Sequence, residues 1–146
     1  MQLTGFTDLA LRLLMRLVVL EPGVSTTTEA LSQELDVRYS HAVKAMAALQ
    51  RLGVVESRRG RNGGVRLADG AGSVSIGFLA GELEGPREVV TCEGASPCPL
   101  RGGCGLRSAL RVAREAFFAS LDSVTVADVA APPTRQLLLT IAARPA

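Results

Sequence analysis

Apolar residues near the start of the chain recur at helical spacing. Leu9, Leu13, Leu17 and Leu20 return every three or four residues, and Ala10, Leu14 and Val18 widen the stripe. This pattern predicts an amphipathic helix from Thr7 to Leu20. Thr7 is placed to cap it, Asp8 suits the positive end of its dipole, and Pro22-Gly23 ends it. Thr26-Thr27-Thr28-Glu29 has the form of a capping box and opens a short helix carrying Ala30, Leu31 and Leu35. After a break at Asp36-Val37, a third helix is expected from Arg38 to Leu52. Val43, Met46, Leu49 and Leu52 would face inward, and Gly53 would stop it.

At Val54 the period shortens. Val54-Val55-Glu56-Ser57 and Val65-Arg66-Leu67 read as strands. The glycines and Asn62-Gly63 between them supply the positive φ angles of a hairpin turn. Two short helices joined by a tight turn and followed by a basic hairpin make a winged helix-turn-helix. Ile76, Leu79 and Leu83 predict a further short helix ending near Gly85-Pro86. Residues 87–105 have no period. A strong helix then carries Leu106, Leu110, Ala113, Phe117 and Leu121 on one stripe, with Val112 and Phe118 off it. A helix with more than one apolar side, lying outside a small winged domain, is expected to meet a second copy of itself. The fold class is therefore mainly α with a small β-hairpin wing. Residues 1–85 form the DNA-binding domain, 86–105 a cysteine loop, 106–130 a dimerisation helix and following turn, and 131–146 a tail that starts at Pro132-Pro133.

Composition narrows the class. Hydrophobic residues are 47% of the chain, enough for a real core, and with 3% aromatics and no Trp that core must be aliphatic. Arg12 and Arg16 interrupt the most apolar early stretch, which is too short for a membrane span, and no secretory pattern opens the chain. The expectation is a cytoplasmic protein with no membrane contact. The net charge of +2 hides a strong asymmetry. Arg38, Lys44, Arg51, Arg58, Arg59, Arg61 and Arg66 share their segment with a single acid, Glu56, so that segment is +6 and the rest of the chain −4. Such a segment is either a solvated face or the footprint of a polyanion.

The order of elements favours double-stranded DNA. The recognition helix would present Arg38, Tyr39, Ser40 and His41 at its N-terminus and Lys44 one turn on. In the wing, Arg58, Arg59, Arg61 and Asn62 would lie along phosphates or in the minor groove. Tyr39 also fits a half-buried packing role. His41, the only His, also fits a plain surface position or a metal site. No G-x-G-x-x-G follows a strand, and one His on the DNA face builds no nucleophile–base pair, so an enzyme is not expected.

Cys92, Cys98 and Cys104 are evenly spaced on a loop rich in Gly and Pro. An odd number cannot pair completely. Zinc sites favour closer Cys pairs and four ligands, whereas soft thiolates on a pliant loop suit an iron–sulfur cluster. A zinc-stabilised DNA-binding module and incidental free thiols remain as alternatives. A four-iron cluster would need a fourth ligand from elsewhere.

Several stretches together resemble the NsrR/IscR family of winged-helix iron–sulfur regulators, above all its nitric-oxide-sensing branch. They are Met1-Gln2-Leu3-Thr4, Phe6-Thr7-Asp8, Leu11-Arg12, His41 with Val43-Lys44, the wing run from Arg59 to Leu67, Ile76-Gly77, Glu82-Leu83-Glu84 and Thr125-Val126-Ala127-Asp128-Val129. The resemblance spans roughly residues 1–130. It implies a homodimeric repressor with a [4Fe-4S] or [2Fe-2S] cluster on the three Cys, released from DNA when nitric oxide destroys the cluster. Within the family the alternative is a [2Fe-2S] redox or iron–sulfur-assembly regulator. That branch has a His three residues past the last Cys, where this chain has Arg107. Asp8 matches a family Asp and is the implied fourth ligand, arriving from the other subunit, with Glu93 the next candidate. Ala42 departs from the family's recognition helix and bears on the choice of operator.

Overall fold

The computed structural model describes residues 1–58, 60 and 63–143. Its elements are α1 (Gly5–Val18), α2 (Thr28–Glu34), α3 (Tyr39–Arg51), β1 (Val55–Arg58), β2 (Gly64–Leu67), α4 (Ile76–Glu84), α5 (Gly105–Ala119), α6 (Val126–Val129) and α7 (Thr134–Ala142). A single 3₁₀ turn, Ala71–Ser73, leads into α4.

The central element is α1. Leu9, Ala10, Leu13, Leu14 and Leu17 are buried along it and meet Leu31 of α2, Met46 and Leu49 of α3, Val55 and Val65 of the hairpin, and Leu79 of α4. Full burial of a leucine contributes about 1.5–3 kcal/mol, so this stripe dominates the core. Arg16 reaches from α1 to α2, where its Nε donates to Glu34 at 2.7 Å.

Three local details differ from the pattern-based reading. First, α1 begins one turn earlier. The Thr4 hydroxyl accepts the Thr7 N–H at 3.2 Å, so Thr4 is the cap and Thr7 is buried inside the helix. Second, Thr26 exchanges backbone hydrogen bonds with Val65, at 3.0 and 2.7 Å, which ties the wing to the chain before α2. That role removes Thr26 from capping, and Thr27 accepts the Ala30 N–H instead. Third, the inward stripe of α3 is Ala42, Ala45, Met46 and Leu49, while Val43 is exposed and Leu52 half-buried. Small alanines let α1 approach closely, so the stripe is phased by alanines and not by the bulkier Val43.

The hairpin pairs β1 and β2 antiparallel, Val55 opposite Leu67 and Arg58 opposite Gly64. Gly64 is needed there, because a Cβ would overlap the Thr26 carbonyl. Behind α1, the segment read as a tail contains α7. Its Leu138 is buried with Val19 and Ala130 against Met15 and Val18.

Helix α5 leans on α4 at its C-terminal end only. Phe118 is its one buried residue, edge-on to Phe117 at 5.4 Å between ring centroids, with the Arg114 guanidinium 4.8 Å above its ring. Of the stripe expected along this helix, Leu110, Phe117 and Leu121 are half-buried, whereas Leu106 and Ala113 are exposed. Leu106 is 65% and Val112 55% exposed, an uncovered apolar surface on the half of the helix nearest the cysteine loop.

Candidate functional site

Burial of Ala42, Ala45, Met46 and Leu49 turns the opposite side of α3 outward. Arg38, Tyr39, Ser40, His41 and Lys44 are all exposed there. Tyr39, at 56% exposure, is not a packing residue. Ala42 is fully buried, so its departure from the family pattern affects the fit of α3 on the core, not a base contact. Arg58 is exposed at the end of β1, while Arg59, Arg61 and Asn62 lie outside the described residues. Arg66 is not a free cation, because it pairs with Glu56 at 2.6 Å and Asp69 at 3.4 Å.

Helix α1 links this face to Asp8. Gly5, Phe6 and Leu9 of α1 share a cavity of about 390 Å³ with His41 and Lys44 of α3. Asp8 lies between these cavity-lining positions in sequence, exposed and ion-paired with Arg12 one turn on. At the N-terminus of α1, Glu84, the last residue of α4, accepts the Thr4 N–H at 2.7 Å. Burial pushes the Glu84 carboxyl up, but hydrogen bonds from Thr7 and Thr4 and the charge of Arg87 outweigh it, so its pKa lies below the ordinary value of 4.5.

All three cysteines are free thiols; Cys92 is buried, and Cys98 and Cys104 are half-buried. The loop folds back on itself where the Cys98 N–H donates to the Cys92 carbonyl at 3.0 Å. Cys104 is the N-cap residue of α5, with no side-chain cap bond. Burial pushes the Cys92 thiol above its ordinary value. Arg107 opposes that rise, while Cys98, Glu88 and Cys104 add to it, so the three sulfurs share one electrostatic neighbourhood. Among the described residues, no group of three or more His, Cys, Asp or Glu side chains is already gathered into a metal site. The donor set itself fits an iron–sulfur cluster: three unpaired soft sulfurs on one loop, the last at the N-cap of α5. Glu93 faces Arg107 at 3.5 Å and Arg101 at 3.9 Å, so both carboxylate candidates, Asp8 and Glu93, are ion-paired with arginines.

Residues 3–132 match the family model described as Rrf2, iron-dependent transcriptional regulator. The chain belongs to the Rrf2 family. It is 56% identical over 146 residues, covering 99% of both chains, to a Streptomyces coelicolor protein described as the HTH-type transcriptional repressor NsrR. Its fold matches that of CymR, the global cysteine regulator of B. subtilis, with a TM-score of 0.66 and 22% identity over 89% of this chain and 96% of that one. It also matches T. potens IscR, with a TM-score of 0.67 and 18% identity over 88% of this chain and 85% of the other. The winged-helix architecture read from the sequence is thus that of this regulator family, and the chain is a homologue of a transcriptional repressor. No helix among the described residues is long and apolar enough to cross a membrane.

The Arg107 ion pairs were not legible from periodicity. The available signal was an arginine in the first turn of a helix, where the dipole disfavours a cation.

Proposed function

We propose that this protein is a cytoplasmic, homodimeric, iron–sulfur-dependent repressor that binds operator DNA and lets go when nitric oxide attacks its cluster. The observation that carries this reading is the packing of α1, the helix that bears Asp8, against the recognition helix α3. The name of the Streptomyces relative and the free thiols of the loop support it.

Cys92, Cys98 and Cys104 would hold the cluster, [4Fe-4S] with [2Fe-2S] as the alternative, and Asp8 of the partner subunit would supply the remaining ligand. When bound, the cluster supplies irons that nitric oxide can attack in competition with their protein ligands. The chain's own residues do the rest. Arg38, Tyr39, Ser40, His41 and Lys44 read the major groove, and Arg58, with Arg59, Arg61 and Asn62, follows the backbone. The uncovered surface of α5 around Leu106 and Val112 pairs two copies. Asp8 carries the signal, because α1 packs on α3 and a carboxylate drawn toward the partner's loop sets the placing of both recognition helices. Each tenfold change in DNA affinity requires only about 1.4 kcal/mol between the two arrangements.

The test is a titration of promoter DNA with cluster-loaded, cluster-stripped and nitric-oxide-treated protein, repeated with Asp8→Ala. The loaded wild type should bind at least about tenfold more tightly than the other two. Loaded Asp8→Ala should behave like the stripped protein. Equal binding in every state, or a colourless and iron-free protein purified without oxygen, would overturn the reading.

A further inference from the structure

Arg107 sits in the first turn of α5, three residues after Cys104. A cation there opposes the helix dipole, which favours acids in the first turn. Its placing needs another reason, and the structure supplies one. The Arg107 Nε donates to Glu88 at 2.7 Å, and its Nη1 reaches Glu93 at 3.5 Å. Glu93 is also within 3.9 Å of Arg101, in the middle of the loop. Glu88 stands on the stretch of chain that enters the cysteine loop, and Glu93 is the neighbour of Cys92. One guanidinium therefore ties the incoming arm of the loop to the helix that carries the outgoing arm.

We propose that Arg107 is a positioning residue that clamps the two arms of the cysteine loop together, so that Cys92 and Cys104 face a common centre before any cluster arrives. This inference rests on the iron–sulfur reading above. An isolated ion pair with side chains 30% and 38% exposed, as for Arg107 and Glu88, adds little to global stability. Its effect is local. The loop has no helix or strand of its own, so few bonds restrain it, and two carboxylates on one planar guanidinium select one arrangement of its arms. Groups that orient metal ligands in this way typically change metal affinity by about 10–100-fold when removed.

Clamp and charge can be separated by cutting the pair from either side. Arg107→Ala removes both. Glu88→Gln loosens the clamp while keeping the cation and every residue of α5. Arg107→Lys keeps a charge that can reach one carboxylate but not span two. Each protein is loaded with iron and sulfide without oxygen, and loss of visible absorption is followed after a chelator is added. Far-UV circular dichroism checks that the helices are intact. Arg107→Ala and Glu88→Gln should both shed the cluster about 10–100-fold faster than wild type, with Arg107→Lys in between. If Glu88→Gln keeps its cluster as long as wild type, the clamp is wrong, whatever Arg107→Ala does. The clamp is equally wrong if Arg107→Ala is as retentive as wild type. A wild type that takes up no iron would instead overturn the iron–sulfur reading, and the clamp with it.

Discussion

Gly77 marks the tightest contact between α4 and the end of α5. A Cβ there would overlap the Phe118 carbonyl and the Asp122 carboxylate, and the Gly77 N–H already donates to the Leu121 carbonyl at 3.2 Å. The carboxylate could turn away, but the Phe118 carbonyl and the Asp122 nitrogen are backbone, so Gly77→Ala should destabilise the protein by about 1–3 kcal/mol, read from urea unfolding. Glu84 makes a different kind of residue-level statement. Its folded pKa lies below 4.5, so the unfolded chain binds the proton more readily. Its contribution is therefore present above the unfolded value and is lost as pH falls through the folded one. Glu84→Gln should lower stability at neutral pH by on the order of 1 kcal/mol and flatten the acid limb of a plot of stability against pH.

At the scale of elements, α3 and the hairpin are expected to contribute differently to binding. Lys44 is exposed on α3, one turn from His41, and Arg58 is exposed at the end of β1; in the function proposed above the first meets base edges and the second the DNA backbone. Lys44→Ala should cost about 1–3 kcal/mol on the preferred site and relax discrimination there. Arg58→Ala should weaken all sequences alike and reduce the slope of log affinity against log salt by about one. Fluorescence anisotropy on matched and scrambled duplexes at several salt concentrations separates the two. The helix caps belong to this scale as well. The true capping box is at Thr125 and Asp128, where each side chain accepts the other residue's N–H. The pattern at Thr26 to Glu29 has the same spelling, but Thr26 is engaged with Val65 of the wing. Local spelling cannot know that a strand from elsewhere will claim the residue.

For the whole molecule, the exposed apolar side chains of α5 are among those that a single chain leaves uncovered. Leu106 and Val112 are more than half exposed, while the far end of the same helix is seated on α4 through Phe118. Replacing both Leu106 and Val112 by Glu should weaken dimerisation at least about tenfold, shown by light scattering across a dilution series. DNA affinity should fall in parallel, because two half-sites are read together only by a dimer. A doubly substituted protein that remains dimeric at all concentrations would assign the interface elsewhere.

The sequence alone determined helices α1 to α5, the hairpin and the spacing of three cysteines. Each is a property of neighbours along the chain, and a period of two or of three to four survives whatever the rest of the molecule does. The phase of α3 was less secure, because only contact with α1 decides that Ala42 and not Val43 turns inward. The helix after Pro133 was hidden for a similar reason, since its one buried leucine matters only once Val19 and Ala130 stand opposite it. The cavity joining Phe6 to His41, and the guanidinium of Arg107 spanning Glu88 and Glu93, join residues far apart in sequence. Only the folded chain brings such groups within reach, because their energies depend on distance in space and leave no period along the sequence.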